Sequence, residues 1–308
     1  MARRKRGRDI HGWLIVDKPV GPTSADVVAQ ARRALDARKA GHAGTLDPLA
    51  SGLLAIAFGE ATKTIPLIQD GAKTYRFTVR LGQATTTDDV EGDVIAESLA
   101  RPSDASIRAA LPAFTGEIMQ IPPAFSAVKL EGRRAYDLAR AASDDPAAFP
   151  ALAARPLTVH RLALIERPDA DHAVLEMTCG KGGYVRAIAR DLGRALDCEA
   201  HVSALRRIAS GGLTLERSIS FAPGEKIGHE AASAHLLPVA TGLDDIPALA
   251  VSAEDADRLR RGQAIVPGDF PQDFAEGSTG WAAGVDGLPV AIGRRDATTF
   301  RPNRVFNL

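Results

Sequence analysis

Hydrophobic positions recur along this chain with two periods. From Tyr75 to Leu81 they alternate: Tyr75, Phe77, Val79 and Leu81 face one way and Arg76, Thr78 and Arg80 the other, which predicts a half-buried strand. From Tyr184 to Leu196 the spacing is helical, with Val185, Ile188, Ala189, Leu192 and Leu196 on one face. Val28, Ala31 and Leu35 give a similar stripe to a helix that opens at Pro22-Thr23-Ser24 and runs to about Arg38. Thr23 is its expected N-cap, with Asp26 three residues on in a variant of the capping box. Trp13 to Val16 reads as a short buried strand. Leu53 to Phe58 is an apolar run whose bounds, Gly52 and Gly59, favour a strand over a helical turn. Val159 to Glu166 and Val174 to Cys179 are expected strands, and Ile107 to Phe114 an expected helix.

Between these elements lie less regular stretches. Residues 1–11 read as a basic, disordered arm and 40–52 as a loop. Residues 82–93 form an acidic, Thr-rich loop. Residues 122–156 look like an insertion. It opens on Pro122-Pro123, carries a basic helix from about Arg133 to Ala142, and closes on an Ala/Pro/Asp-rich stretch; insertions of this length are commonly functional flaps or disordered loops. Around residue 240 the texture changes. Leu237-Pro238 and Ile246-Pro247 punctuate the chain, and 248–308 predicts a small β-rich second domain with apolar stretches at Trp281 to Val285 and Leu288 to Ile292.

Composition narrows the class. A chain of 308 residues with 45% hydrophobic and 25% charged residues is that of an ordinary globular protein. No apolar run approaches the ~18 residues of a membrane span. The basic start is followed by too short an apolar stretch for a secretory signal. Two cysteines, Cys179 and Cys198, make no disulfide framework and point to a reducing, cytoplasmic setting. The seven histidines form no metal-binding spacing. Basic and acidic residues balance at 38 each, but residues 1–80 hold 14 Lys/Arg against 7 Asp/Glu. That region suits a polyanion, unless the excess is simply a tail.

Two segments draw attention for chemistry. In Gly41-His42-Ala43-Gly44-Thr45-Leu46-Asp47-Pro48-Leu49-Ala50-Ser51-Gly52, the glycines and Pro48 restrict the backbone so that one carboxylate, Asp47, has a fixed place suited to a nucleophile or base. Asp47 as a plain cap of a turn explains the same pattern. In Cys179-Gly-Lys-Gly-Gly-Tyr-Val-Arg186 a strand ends, a Gly-rich turn follows and a helix starts, without the order of a phosphate-binding loop. Arg186 lies in the first helical turn, where the macrodipole disfavours a cation unless an anion is near. Arg186, Arg190 and Arg194 also fit a solvated helix face. Tyr75 and Tyr184 suit either core packing or stacking on a base.

Seven stretches in order complete the pattern: Val16-Asp-Lys-Pro-Val-Gly-Pro-Thr-Ser24, the Gly41–Gly52 loop, Gly59-Glu-Ala-Thr-Lys63, Lys73-Thr-Tyr75, Pro122-Pro-Ala-Phe-Ser-Ala127, Gly180-Lys-Gly-Gly-Tyr-Val-Arg186 and Leu205-Arg-Arg207. Together they make residues 12–240 resemble the TruB family of tRNA pseudouridine synthases, which isomerise the uridine at position 55 in the T arm. The resemblance implies an α+β fold: a catalytic domain over 12–240 with a central mixed or antiparallel sheet flanked by helices, and a PUA-like RNA-binding domain over 248–308. It places the nucleophile on Asp47, the active-site tyrosine on Tyr75 and the paired arginine on Arg186. His42, Tyr184, Leu205, Lys18 and Lys63 fall on substrate-binding positions, Lys18 as support. The implied reaction needs no metal or other cofactor.

The implied partner is tRNA, met at the T arm and, through the C-terminal domain, at the acceptor end. No membrane partner is expected, and the chain is expected to be a monomer in the cytoplasm. Two departures stand out. Where the family commonly has Thr-Asp-Thr, this chain has Thr85-Thr86-Thr87, with Asp88 and Asp89 following, and Ala142 to Ala154 is longer than usual. The competing readings are an RNA chaperone acting on tRNA without catalysis, and a synthase for another uridine.

Overall fold

Leu14, Ile15 and Val16 are buried one after another, so their strand, Gly12–Lys18, must be covered on both faces. It pairs antiparallel with Ala50–Phe58 and parallel with Ser218–Ser220, while Ala40–His42 adds to the far end of Ala50–Phe58. The computed structural model describes residues 7–126, 128–130, 132–141 and 149–308. By contacts it divides into two units. The strands just named, apart from Ala50 and Ser51, belong with the helix Ser24–Ala34 to the first, which spans 1–48, 52–71 and 210–308. Thr23 caps that helix in a complete capping box with Asp26. The helix stops short of the expected Arg38 because the chain turns left-handed at Asp36, with φ 47°.

Of the basic arm expected over 1–11, residues 1–6 lie outside the described residues. The rest is tied down: Arg8 N–H donates to Asp36 O, Asp9 pairs with Arg38, and His11 Nδ1 accepts from Glu60 N–H. Residues 248–308 build a four-stranded sheet in the order Ala248–Ala250, Thr279–Ala283, Pro289–Asp296, Thr299–Val305, with the helix Ala253–Arg260. Leu249, Leu259, Phe274 and Phe300 form its own core. Ile292 and Phe306, however, join the core of Trp13, Ile15 and Leu53, so this segment shares a hydrophobic cluster with the first strand.

The second unit, 49–51 with 72–209, is an antiparallel ladder of Lys73–Leu81, His172–Cys179, Arg155–Glu166 and Gly116–Gln120, with Ala200–Ser210 beside Lys73–Leu81. The helix Val185–Ala195 lays Val185, Ile188, Ala189 and Leu192 on Phe77, Val79, Leu175 and Met177 of that ladder. The expected helix over 107–114 begins earlier, at Asp104, and tightens into a 3₁₀ turn at Leu111–Phe114. The acidic loop is a short hairpin, Gln83–Thr85 with Val94–Glu97. In the 122–156 insertion, Lys129–Leu130 and Arg133–Arg134 pair ahead of the helix Ala135–Ala141; part of the long stretch from Ala142 lies outside the described residues. Among the described residues no helix is long and apolar enough to cross a membrane.

Candidate active site

The first unit fixes Asp47 by its neighbours. Gly44 sits at φ 114°, a backbone state closed to most side chains, and turns the chain out of the Ala40–His42 strand. The hydroxyl of Ser24, buried at the start of its helix, accepts from Leu46 N–H at 2.8 Å and donates to Leu46 O at 2.9 Å. On the other side, Pro48 O accepts from Gly21 N–H at 2.9 Å and from Lys18 Nζ at 3.4 Å. Asp47 is thus the half-buried residue between two anchored peptides.

Lys18 is fully buried, and its ammonium also donates to Pro19 O and Pro22 O, both at 2.9 Å. Burial pulls it down to about 8 from the usual 10.5, against the opposing pull of the Asp47 carboxylate. Its role here is that of a brace for three carbonyls. His42 lies half-buried in its short strand opposite Ile56. Lys63 is engaged elsewhere: its ammonium meets Glu60 and Val305 O, both at 2.6 Å, and lies 6.0 Å from the Phe306 ring centre. Lys63, expected at a substrate-binding position, thus contacts the last strand in this structure.

In the second unit Tyr75 lies half-buried on the Lys73–Leu81 strand and packs with Leu205 against the core of the ladder. Its hydroxyl hydrogen-bonds the guanidinium of Arg207, which is 2% exposed. Burial lowers the Arg207 pKa, and Tyr75 works against that shift. Ser51 Oγ donates to Leu205 O at 3.5 Å.

Arg186 meets a carboxylate within its own unit, Asp89. Nη1 is 3.1 Å from Asp89 Oδ2 and donates to Thr87 O at 3.1 Å, while Nη2 donates to Phe125 O at 3.0 Å. Asp89 is held in turn by Thr87 Oγ1 at 2.5 Å and Glu91 N–H at 3.0 Å. One turn on, Arg190 meets Asp88 at 3.0 Å and Ile121 O at 2.8 Å. Burial raises the Asp88 pKa, and Arg190 opposes it. Only Arg194 of the three arginines is the exposed side chain that a solvated stripe would require. Tyr184 is the N-cap of this helix, reached through a turn in which Gly183 leaves room for Cys179: a Cβ there would meet Sγ at 2.7 Å.

Sequence reasoning missed Asp89, Gln120 and the role of Arg207. Each is a polar residue buried where the pattern suggests a solvated loop, a strand end or an exposed face. The signals were the pair of carboxylates directly after Thr85-Thr86-Thr87 and, for Arg207, its place in the Leu205-Arg-Arg207 stretch.

Comparison with known proteins shows the family. Residues 32–185 match the N-terminal domain model of the TruB family pseudouridylate synthases, and residues 186–243 match the C-terminal domain model of tRNA pseudouridylate synthase B. The chain is 56% identical over 310 residues to a tRNA pseudouridine synthase B of Cereibacter sphaeroides, covering 100% of both chains. It is 50% identical over 312 residues to that of Gluconacetobacter diazotrophicus, covering 99% of this chain and 100% of the relative. In fold it is similar to a chain in a crystal structure of a Cbf5-Nop10-Gar1 complex, with TM-score 0.73 at 24% identity over 96% of this chain and 85% of that one. With the anchored aspartate loop and the tyrosine and arginine segments all present in a chain matched from end to end, this protein belongs to the TruB family of pseudouridylate synthases.

Proposed function

We propose that this chain isomerises a uridine of tRNA to pseudouridine, at position 55 of the T arm, with Asp47 as the nucleophile. The reading is carried by one observation: Asp47 is the residue between two anchored peptides, in a chain that aligns from end to end with tRNA pseudouridine synthases B. In the reaction the C1′–N1 bond breaks, the uracil turns, and a C1′–C5 bond forms. The proton on C5 is lost and N1 gains one, so nothing is oxidised and no group enters or leaves. Asp47 acts by one of three routes: addition to the base, attack on the sugar, or removal of a sugar proton. Arg186 supplies a fixed positive charge that favours an ionised carboxylate in the reaction. Tyr75 stacks on the flipped uracil, with Tyr184, Leu205 and His42 around the extruded nucleotides. A uridine inside a folded T arm must be extruded first, at a cost of a few kcal/mol.

Residues 12–240 act as the catalytic domain, with the 122–156 insertion clamping the RNA. Residues 248–308 act as a PUA-like module at the acceptor end. The protein works as a monomer in the cytoplasm. The test is mass mapping of pseudouridine in an unmodified tRNA transcript after incubation with the purified protein. Conversion at position 55 supports the reading; conversion elsewhere, or none, overturns it.

A further inference from the structure

Gln120 ends the Gly116–Gln120 strand and is 3% exposed. Its side chain does not point to solvent or to another side chain. Nε2 donates to Tyr184 O at 3.0 Å, and Oε1 accepts from Tyr184 N–H at 2.9 Å. One amide therefore satisfies both peptide groups of one residue, as a neighbouring strand would. Tyr184 is the N-cap of the Val185–Ala195 helix, and its own side chain makes no capping hydrogen bond. Arg186 stands two residues further on.

The segment after Gln120 is fastened to the same helix. Arg190 Nη2 donates to Ile121 O at 2.8 Å and Arg186 Nη2 to Phe125 O at 3.0 Å. Gln120 is the first of three fastenings in six residues, and the one that acts on the backbone of the helix start. A guanidinium in a reaction centre tolerates little displacement, since about 1 Å of misplacement costs on the order of a hundredfold in rate.

We infer that Gln120 is a positioning residue for the isomerisation: by holding both peptide groups of Tyr184 it sets the start of the helix and with it the guanidinium of Arg186. This rests on the proposed function, in which Arg186 takes part in the reaction. In this reading Gln120 acts through the Tyr184 backbone and Arg186, not on the reacting atoms.

The test uses Gln120→Glu and Gln120→Met in the full-length chain, with single-turnover pseudouridine formation, tRNA affinity and melting temperature measured side by side. A neutral glutamic acid reproduces the amide: its O–H donates to Tyr184 O and its carbonyl accepts from Tyr184 N–H. The carboxylate has no proton to donate and faces the Tyr184 carbonyl. The charged groups on neighbouring elements are Arg186 and Arg190 on the helix, Asp88 and Asp89 that pair with them, and Arg155 opposite Gln120 in register. Burial raises the introduced acid above its ordinary value of about 4.3, and the arginines pull the other way.

The rate of Gln120→Glu relative to the unchanged protein is expected to fall at least about tenfold near pH 8 and to climb as pH drops towards about 5.5. Gln120→Met is expected to be slow at every pH, with tRNA affinity within a few-fold. A pH-independent ratio for Gln120→Glu overturns the inference, as does Gln120→Met turning over within about twofold of the unchanged protein. Weaker tRNA affinity with an unchanged rate at saturating tRNA also overturns it. If Gln120→Met fails to fold, the pH profile of Gln120→Glu decides alone. An unchanged protein that makes no pseudouridine sinks the proposed function; an active one indifferent to both substitutions sinks this inference alone.

Discussion

Asp89 Oδ2 lies 3.1 Å from Arg186 Nη1, with the two side chains only 2% and 9% exposed. A cation in the first turn of a helix opposes the macrodipole, and a buried one without a counter-charge is costly. Here the acidic loop supplies the anion, and Thr87 O and Phe125 O occupy further guanidinium protons. Asp89→Asn keeps the shape and removes the charge. Pseudouridine formation is expected to fall about tenfold or more, with a stability loss of about 1–3 kcal/mol because the two carbonyls still hold Arg186. Single-turnover rates and chemical denaturation check it; a rate close to the unchanged protein's refutes the role given to Asp89.

Arg186→Lys keeps the charge but not the fork. One ammonium cannot serve Asp89, Thr87 O and Phe125 O in the same geometry. Turnover is expected to drop about a hundredfold or more while tRNA affinity stays within a few-fold. Near-normal turnover removes Arg186 from the reaction.

How far the sequence foretold this arrangement differs by residue. The Tyr75 strand was legible because its alternation is clean and its apolar face is buried against the Val185–Ala195 helix. Of the loop expected over 40–52, the middle around Asp47 was legible because Gly44 and Pro48 restrict the backbone, while its ends, Ala40–His42 and the start of Ala50–Phe58, are strand. The strand Ala200–Ser210, which brings in Leu205 and Arg207, was not foreseen: its fully buried Arg207 occupies a place where the pattern shows a charge and suggests solvent. Asp89 and Gln120 were hidden in the same way. Hydropathy reports the side chain, while their burial depends on partners far away in sequence, at Arg186 and Tyr184.

Asp47→Asn removes the proposed nucleophile and leaves Ser24, Lys18 and Pro48 to hold the loop. Pseudouridine formation is expected to vanish while tRNA affinity stays within a few-fold. Appreciable turnover by the pure variant would end the assignment.

Ser24→Ala deletes both bonds to the Leu46 peptide and leaves its N–H buried without that partner. A stability loss of about 1–3 kcal/mol is expected, together with slower turnover because Asp47 is the next residue. If stability falls and turnover at saturating tRNA does not, the clamp serves the fold alone.

Lys18 has a pKa of about 8 in the folded chain against 10.5 for the ordinary side chain, chiefly through burial. Between those values the unfolded chain binds more protons at this site than the folded one. The contribution of Lys18 to stability therefore rises with pH across that window and is constant below it. Lys18→Met removes the titration. The difference in unfolding free energy between the unchanged protein and Lys18→Met is expected to shift in favour of the unchanged protein as pH climbs from about 8 to about 10. A difference that is flat over the same range contradicts the burial argument.

Truncation at residue 248 is a poor test of the C-terminal module, because Ile292 and Phe306 complete the core around Trp13. Charge reversal on its surface is cleaner. Arg294 and Arg301 are exposed and stand opposite each other in register on the last two strands, so they present two cations side by side. If this sheet meets the acceptor end, each contributes mainly through phosphate and carries no sequence information. Arg294→Glu and Arg301→Glu are then expected to weaken tRNA binding about tenfold or more and to lower the slope of log affinity against log salt by about one each. Turnover on a saturating T-arm stem-loop, which lacks the acceptor end, should be unchanged. Unaltered tRNA affinity in both variants would remove this sheet from the RNA-binding surface, whereas a loss of turnover on the stem-loop would place the two arginines nearer the chemistry than the module reading allows.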